Sequence, residues 1–171
     1  MTIQDLSAEE FHPYYKSYID KAEGLSLIDG LKQSGSLTTA FLRSIPSDKA
    51  DYNYAEGKWT LKELVLHIID AERVFAYRAL RIARRDTTPL AGFEQNSYVE
   101  ASGAGKRSMD SIIEEFVTVR KSTELLFENF SDEDLKAIGE ASGSPVSTRA
   151  LGFIIIGHET HHCDIIKERY L

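Results

Sequence analysis

The sequence predicts an all-α protein, a four-helix bundle with a long crossover loop between its second and third helices. Two observations predict it. Apolar residues recur at intervals of three and four over long segments, and the strict alternation of a half-buried strand is nearly absent. Between the second and third such segments, a stretch of about 20 residues holding Pro89, Gly92, Gly103 and Gly105 lacks either pattern, the length of a crossover connection in a bundle.

Near the N-terminus a short helix is expected to start near Ser7 and break near Pro13. The first long helix is expected over Leu25 to Arg43, where Leu27, Ile28, Leu31, Leu37, Phe41 and Leu42 recur at helical spacing, and Pro46 closes it. Thr60, with Glu63 three residues later, forms the capping-box signature of a second helix running from Leu61 to about Arg85. Its stripe is Leu61, Leu64, Ile68, Ala71, Phe75, Ala79 and Ile82. Ser108 or Asp110 can cap a third helix, which ends near Asn129. There Ile112, Ile113, Phe116, Val119, Thr123, Leu126, Phe127 and Phe130 share one face. Ser131 caps a short turn, Gly139 to Pro145 reads as a loop, and Ser147 opens a last helix that continues to the C-terminus.

The length of 171 residues fits one domain with a single sizeable core. A net charge of -7 argues against a surface that gathers phosphate backbones, so nucleic acid is not an expected partner. Arg78, Arg81, Arg84 and Arg85 cluster near the end of the second helix and could hold an anion. The simpler reading is a solvated face with a basic last turn. The start MTIQDLSAEEFHPYY lacks a signal-peptide pattern and no stretch is apolar for long enough to span a bilayer, so a cytoplasmic protein without a membrane partner is expected. Cys163 is a single cysteine and reads as a small core residue.

The last helix carries the chemistry. At about 100° per residue, Leu151, His162, Ile165 and Arg169 lie within about 40° of His158, which puts two histidines in the middle of an apolar stripe. Buried imidazoles need partners, and an aliphatic stripe supplies none. The i, i+4 spacing lets both reach one metal ion, and His67, at the border of the second helix's apolar face, is the candidate third ligand. Each can also be read as a core histidine satisfied by other side chains. Three neutral histidines leave coordination positions open for water or substrate. His161 and His12 rank below the three, and Glu63 or Asp70, one turn from His67, could accept the free N–H of a ligand imidazole.

The stretch from Gly57 to Tyr98, with its W-[ST]-x-K-E start and lone histidine, and the ending from Pro145 to Leu171, with its H-x-x-x-H pair, resemble the DinB-like, YfiT-related family of metal-binding bundles. The resemblance implies a divalent metal at His67, His158 and His162, a homodimer, and thiol-dependent transfer chemistry in which a low-molecular-weight thiol attacks a small electrophilic substrate. The site suits Zn²⁺ or Ni²⁺ first, with Fe²⁺ or Mn²⁺ as alternatives. Two other readings stay open. His158-Glu159-Thr160-His161-His162 matches the H-E-x-x-H metalloprotease motif, though no histidine follows His162. A non-enzymatic metal-binding or stress-response protein is the other. Leu66, Ile69 and Leu80, on the side of the second helix away from its main stripe, suggest an apolar patch through which two copies could pair.

Overall fold

In the computed structural model, which describes residues 1–171, polar caps start the helices where the sequence places them. The first 26 residues pass through 3-10 turns at Ile3–Asp5, Ala8–Glu10 and Pro13–Tyr15 into a single α-helical turn, α1 (Lys16–Ile19), and a further 3-10 turn at Asp20–Ala22. The early helix therefore lies after Pro13 instead of before it. Proline stands at the start of a turn, where its missing N–H leaves no bond unmade. Ser26 caps α2 (Leu27–Ser44), and the Thr60–Glu63 capping box opens α3 (Leu61–Ala83). The crossover contains α4 (Gln95–Ala101) and leads to α5 (Met109–Glu128), capped by Ser108. Then follow α6 (Asp132–Lys136), the strands β1 (Ile138–Ala141) and β2 (Ser144–Ser147), and α7 (Thr148–Arg169), capped by Ser147.

The segment expected as a loop from Gly139 to Pro145 is an antiparallel hairpin. Ser142 and Gly143 both have positive φ, 54° and 75°, as a two-residue turn matched to strand twist requires. The crossover is not structureless either. Besides α4 and a 3-10 turn at Ala104–Lys106, it runs beside β1, where the Leu90 amide donates to Glu140 and Leu90 accepts from Ser142.

Helix α3 packs on α5 and α7, and α2 packs on the same two from the opposite side. Directions follow from the two apolar clusters. Helices α2 and α7 run from a cluster holding Leu31 and Leu151 to one holding Leu42 and Ile166, while α3 and α5 run the other way. Neighbours α3 and α5 are therefore parallel, and a long connection is needed to bring the chain back to the end where α5 begins.

Leu66 and Ile69 are 4% and 0% exposed, covered by α5 and the Ala104–Lys106 turn, and only Leu80 is open, at 37%. The outer apolar patch expected on α3 is thus part of this chain's own core, and an interface built on it is not available. No helix is long and apolar enough to cross a membrane.

Candidate metal centre

Between the two apolar clusters the bundle interior turns polar. His67 on α3 and His158 and His162 on α7 are all buried there, and their ligand-capable nitrogens lie within 4.8 Å of one another. His158 Nε2 is 3.2 Å from His67 Nε2 and 3.1 Å from His162 Nε2. Each neutral imidazole nitrogen offers either one proton or one lone pair, so hydrogen bonding leaves one of these contacts poorly matched. Bonds of about 2.0–2.2 Å to a shared ion would set nitrogens about 3.0–3.4 Å apart, so the donor set fits a divalent metal. Burial lowers all three below the ordinary histidine range, His67 to about 4 by burial alone and His162 to about 3, while His158 is also held well below that range, and neighbouring imidazoles add to the effect of burial at His158 and His162. They are neutral near pH 7, the form that offers lone pairs.

The local sequence sets this geometry. Trp59 lies against the His67 ring at 4.9 Å between centroids, and its carbonyl accepts from the Tyr170 hydroxyl at 2.8 Å. Lys62 is buried and donates to the Gly105 and Arg107 carbonyls, fastening the end of the crossover to α3. At Gly157 a Cβ would sit 1.8 Å from the Tyr18 carbonyl oxygen. Its absence lets α1 lie against α7 and brings the Tyr18 ring to 5.5 Å from His158 and 5.2 Å from His161.

Several residues behave differently from their sequence reading. Glu63 is spent on the Thr60 cap and Asp70 pairs with Arg73, so neither orients a histidine, and His162 Nδ1 is buried without a partner. Glu159 turns away from the histidines into a second polar cluster. There Arg120 donates to Glu72 at 2.9 and 2.8 Å, to Leu31 O, to Ser34 Oγ and to Glu159. A carboxylate held by Arg120 is not placed to take a proton from water at the histidines, so the H-E-x-x-H match does not work as a protease motif here. Cys163 is buried beside Thr38, with its thiol pushed up to about 11 by burial. His12 caps the turn at Pro13–Tyr15, far from the cluster in role, and His161 is half-buried beside Tyr18.

Two cavities reach the histidines. One, of about 360 Å³, is bordered by His67, His158, Phe75, Tyr15, Tyr18 and Arg78. The other, of about 250 Å³, is bordered by His162, Trp59, Asn96 and Arg169. Arg78 is 3% exposed and belongs to the first cavity, whereas Arg81 and Arg85 pair with Asp86 and Asp134 and Arg84 is exposed. The solvated-face reading of the arginine cluster therefore fails for Arg78. The sequence also gave no notice of Tyr15 and Tyr18, which lie on the irregular N-terminal segment.

The sequence profile of the DinB superfamily matches residues 31–166. In three dimensions the chain is similar to YfiT from Bacillus subtilis, described as a probable metal-dependent hydrolase with an unusual four-helix bundle topology. The TM-score is 0.73 at 17% identity, over 93% of this chain and 91% of that one. It is also similar to the mycothiol-dependent maleylpyruvate isomerase, with a TM-score of 0.66 at 11% identity over 99% of this chain, and to a histidine mutant of that enzyme at 12% identity. This chain spans 63% of the isomerase. No curated protein sequence matches. At these identities the structural likeness carries the fold.

Proposed function

The chain belongs to the DinB superfamily, and from that premise we propose that it is a divalent-metal-dependent enzyme, a thiol-dependent S-transferase or hydrolase acting on a small electrophilic molecule. The observation that carries the reading is the convergence of His67, His158 and His162 at a point reached by cavities. No fourth histidine, cysteine or carboxylate joins the cluster, so a bound ion keeps positions for substrate, which favours an enzyme over a structural clamp. Zn²⁺ or Ni²⁺ suits three imidazoles best, with Fe²⁺ or Mn²⁺ as alternatives. A metal there would lower the pKa of a thiol or water and supply a nucleophile near neutral pH.

The chain's own groups do the rest. The three imidazoles, neutral at pH 7, hold their lone pairs toward one point. Phe75 and Trp59 pack against the rings of His158 and His67, and the Tyr15 and Tyr18 phenols border the larger cavity, where they can donate to substrate oxygen. A thiol co-substrate is suggested by the mycothiol-dependent neighbour and fits a cytoplasmic location, where thiols stay reduced. A homodimer, if formed, uses a face other than the covered one on α3.

Metal analysis of untagged protein tests this. One equivalent is expected in the wild type and in His12→Ala and His161→Ala, and none in His67→Ala, His158→Ala or His162→Ala. Full metal retention in any of the last three overturns the ligand set. In assays with a panel of thiols and electrophiles, chelation should abolish turnover and Cys163→Ser should preserve it.

A further inference from the structure

Three cations are buried in this protein, and two of them have carboxylate partners: Lys62 pairs with Asp51, and Arg120 with Glu72 and Glu159. Arg78 forms no ion pair, although it is as buried as Arg120. Its hydrogen bonds both leave from Nη2, to the Ala91 carbonyl at 2.7 Å and to Ser142 Oγ at 2.9 Å. These fix the guanidinium plane and leave three of its five N–H groups for another partner. Phe75 and Phe93 flank it, each with the ring centroid 6.0 Å from the guanidinium carbon. The carboxylate nearest by lining, Glu94, is exposed and accepts from the Asn96 amide as the cap of α4. A buried guanidinium without a counter-charge is costly unless an anion arrives from outside.

The cavity that Arg78 borders is the one that reaches His67 and His158. On α3, His67, Ala71, Phe75 and Arg78 line it in succession, and eleven residues of helix separate the histidine and arginine backbones by about 16 Å. A helical arginine leans back toward the N-terminus, so its charged end comes within on the order of 10 Å of the histidines.

We propose that Arg78 is the carboxylate-binding residue of the substrate site: the small molecule processed here carries a carboxylate that pairs with Arg78 while its other end stands at the histidine centre. The planar fork of arginine matches a carboxylate through two N–H groups, a match lysine cannot reproduce. The Tyr15 phenol borders the same cavity and can add a donor there. This deepens the proposed function and rests on it only for what happens at the histidine end.

Two probe pairs separate the two claims. Hexanoate and hexanamide, titrated by NMR into the protein as purified, share shape but differ in charge and in the second acceptor oxygen, and so read Arg78 whether or not metal is bound. Hexanoate should bind at least about tenfold more tightly in the wild type, with the ratio falling to about one in Arg78→Met and to an intermediate value in Arg78→Lys. The thiol pair 6-mercaptohexanoate and 6-mercaptohexanamide, titrated into metal-loaded protein, should show the same ratio with tighter binding of both, and His158→Ala should remove that extra affinity without removing the ratio. Equal binding of hexanoate and hexanamide by the wild type, or a preference that survives in Arg78→Met, overturns the carboxylate site. A preserved hexanoate preference in a protein that takes up no metal overturns the metal reading and leaves the carboxylate site standing. Thermal melts establish that Arg78→Met is folded, and Arg78→Lys supplies the same reading if it is not.

Discussion

Glu10 and Arg149 join the N-terminal turns to the start of α7 through two hydrogen bonds, 2.7 Å from Nε and 2.6 Å from Nη2. Burial pushes the Glu10 carboxyl up, but the Arg149 guanidinium and the Ser7 amide outweigh it and hold the group at about 2, against an ordinary 4.5. Its folded-state pKa is depressed, so the stabilisation is fully present above about pH 4.5 and is lost as pH falls toward 2. Urea titrations across this window should show Arg149→Met less stable by about 2 kcal/mol at pH 7 and flatter than the wild type between pH 4.5 and 2. The same scale explains what could be read from single residues. His158 and His162 stood out because an i, i+4 pair in an aliphatic stripe lacks local partners. Arg78 did not stand out, because its neighbours Arg81, Arg84 and Arg85 are solvated or paired and only the folded crossover and hairpin turn show which of the four is enclosed.

At the scale of elements, apolar stripes placed the four long helices to within a few residues, and Thr60, Ser108 and Ser147 marked three of the starts because they satisfy orphan amides through contacts local in sequence, whereas the Ser26 cap lies inside the helix expected from Leu25. The hairpin was less legible. Of its eight strand residues only Ala141, Val146 and Ser147 are buried and Ile138 faces solvent, so no alternating pattern is long enough to show. The crossover was misread for a related reason. Helix α4 buries only Val99, and its order comes from packing on α3. Helix α1 depends on another element altogether, through Gly157. Gly157→Ala must displace the Tyr18 carbonyl, so it should lower stability by about 1–3 kcal/mol in urea denaturation and weaken the NMR contacts between the Tyr18 and His158 rings. Gly105→Ala, where a Cβ meets nothing within 4 Å, is the control and should be close to neutral.

Across the whole molecule, a polar layer crosses the bundle where all four long helices meet, the histidines on one side of it and the buried Glu72–Arg120–Glu159 cluster on the other. The layer was invisible in sequence beyond its histidines, because Glu72, Arg120 and Glu159 lie on three different helices, Glu72 and Arg120 each alone read as surface charges, and Glu159 reads as part of an H-E-x-x-H match. Even the fourth helix makes room for it: at Gly35 of α2 a Cβ would stand 2.6 Å from Arg120 Cγ. Burial disfavours the Arg120 charge, but Glu159 and Glu72 more than restore it, whereas burial raises Glu159, whose Oε1 has no hydrogen-bond partner. The cluster is therefore held together by one cation between two carboxylates. Arg120→Met leaves both carboxylates facing each other without it and should cost about 3–5 kcal/mol in urea denaturation. Replacing the cluster entirely, with Glu72→Met, Arg120→Met and Glu159→Leu together, removes the desolvated charges and should recover most of that loss. Because Arg120 makes no hydrogen bond to a histidine, the triple variant should still bind one equivalent of metal. A triple variant no more stable than Arg120→Met would mean that the cluster stabilises the fold through more than cancelling its own charges. Loss of metal in a folded triple variant would mean that the two halves of the layer are coupled through α7.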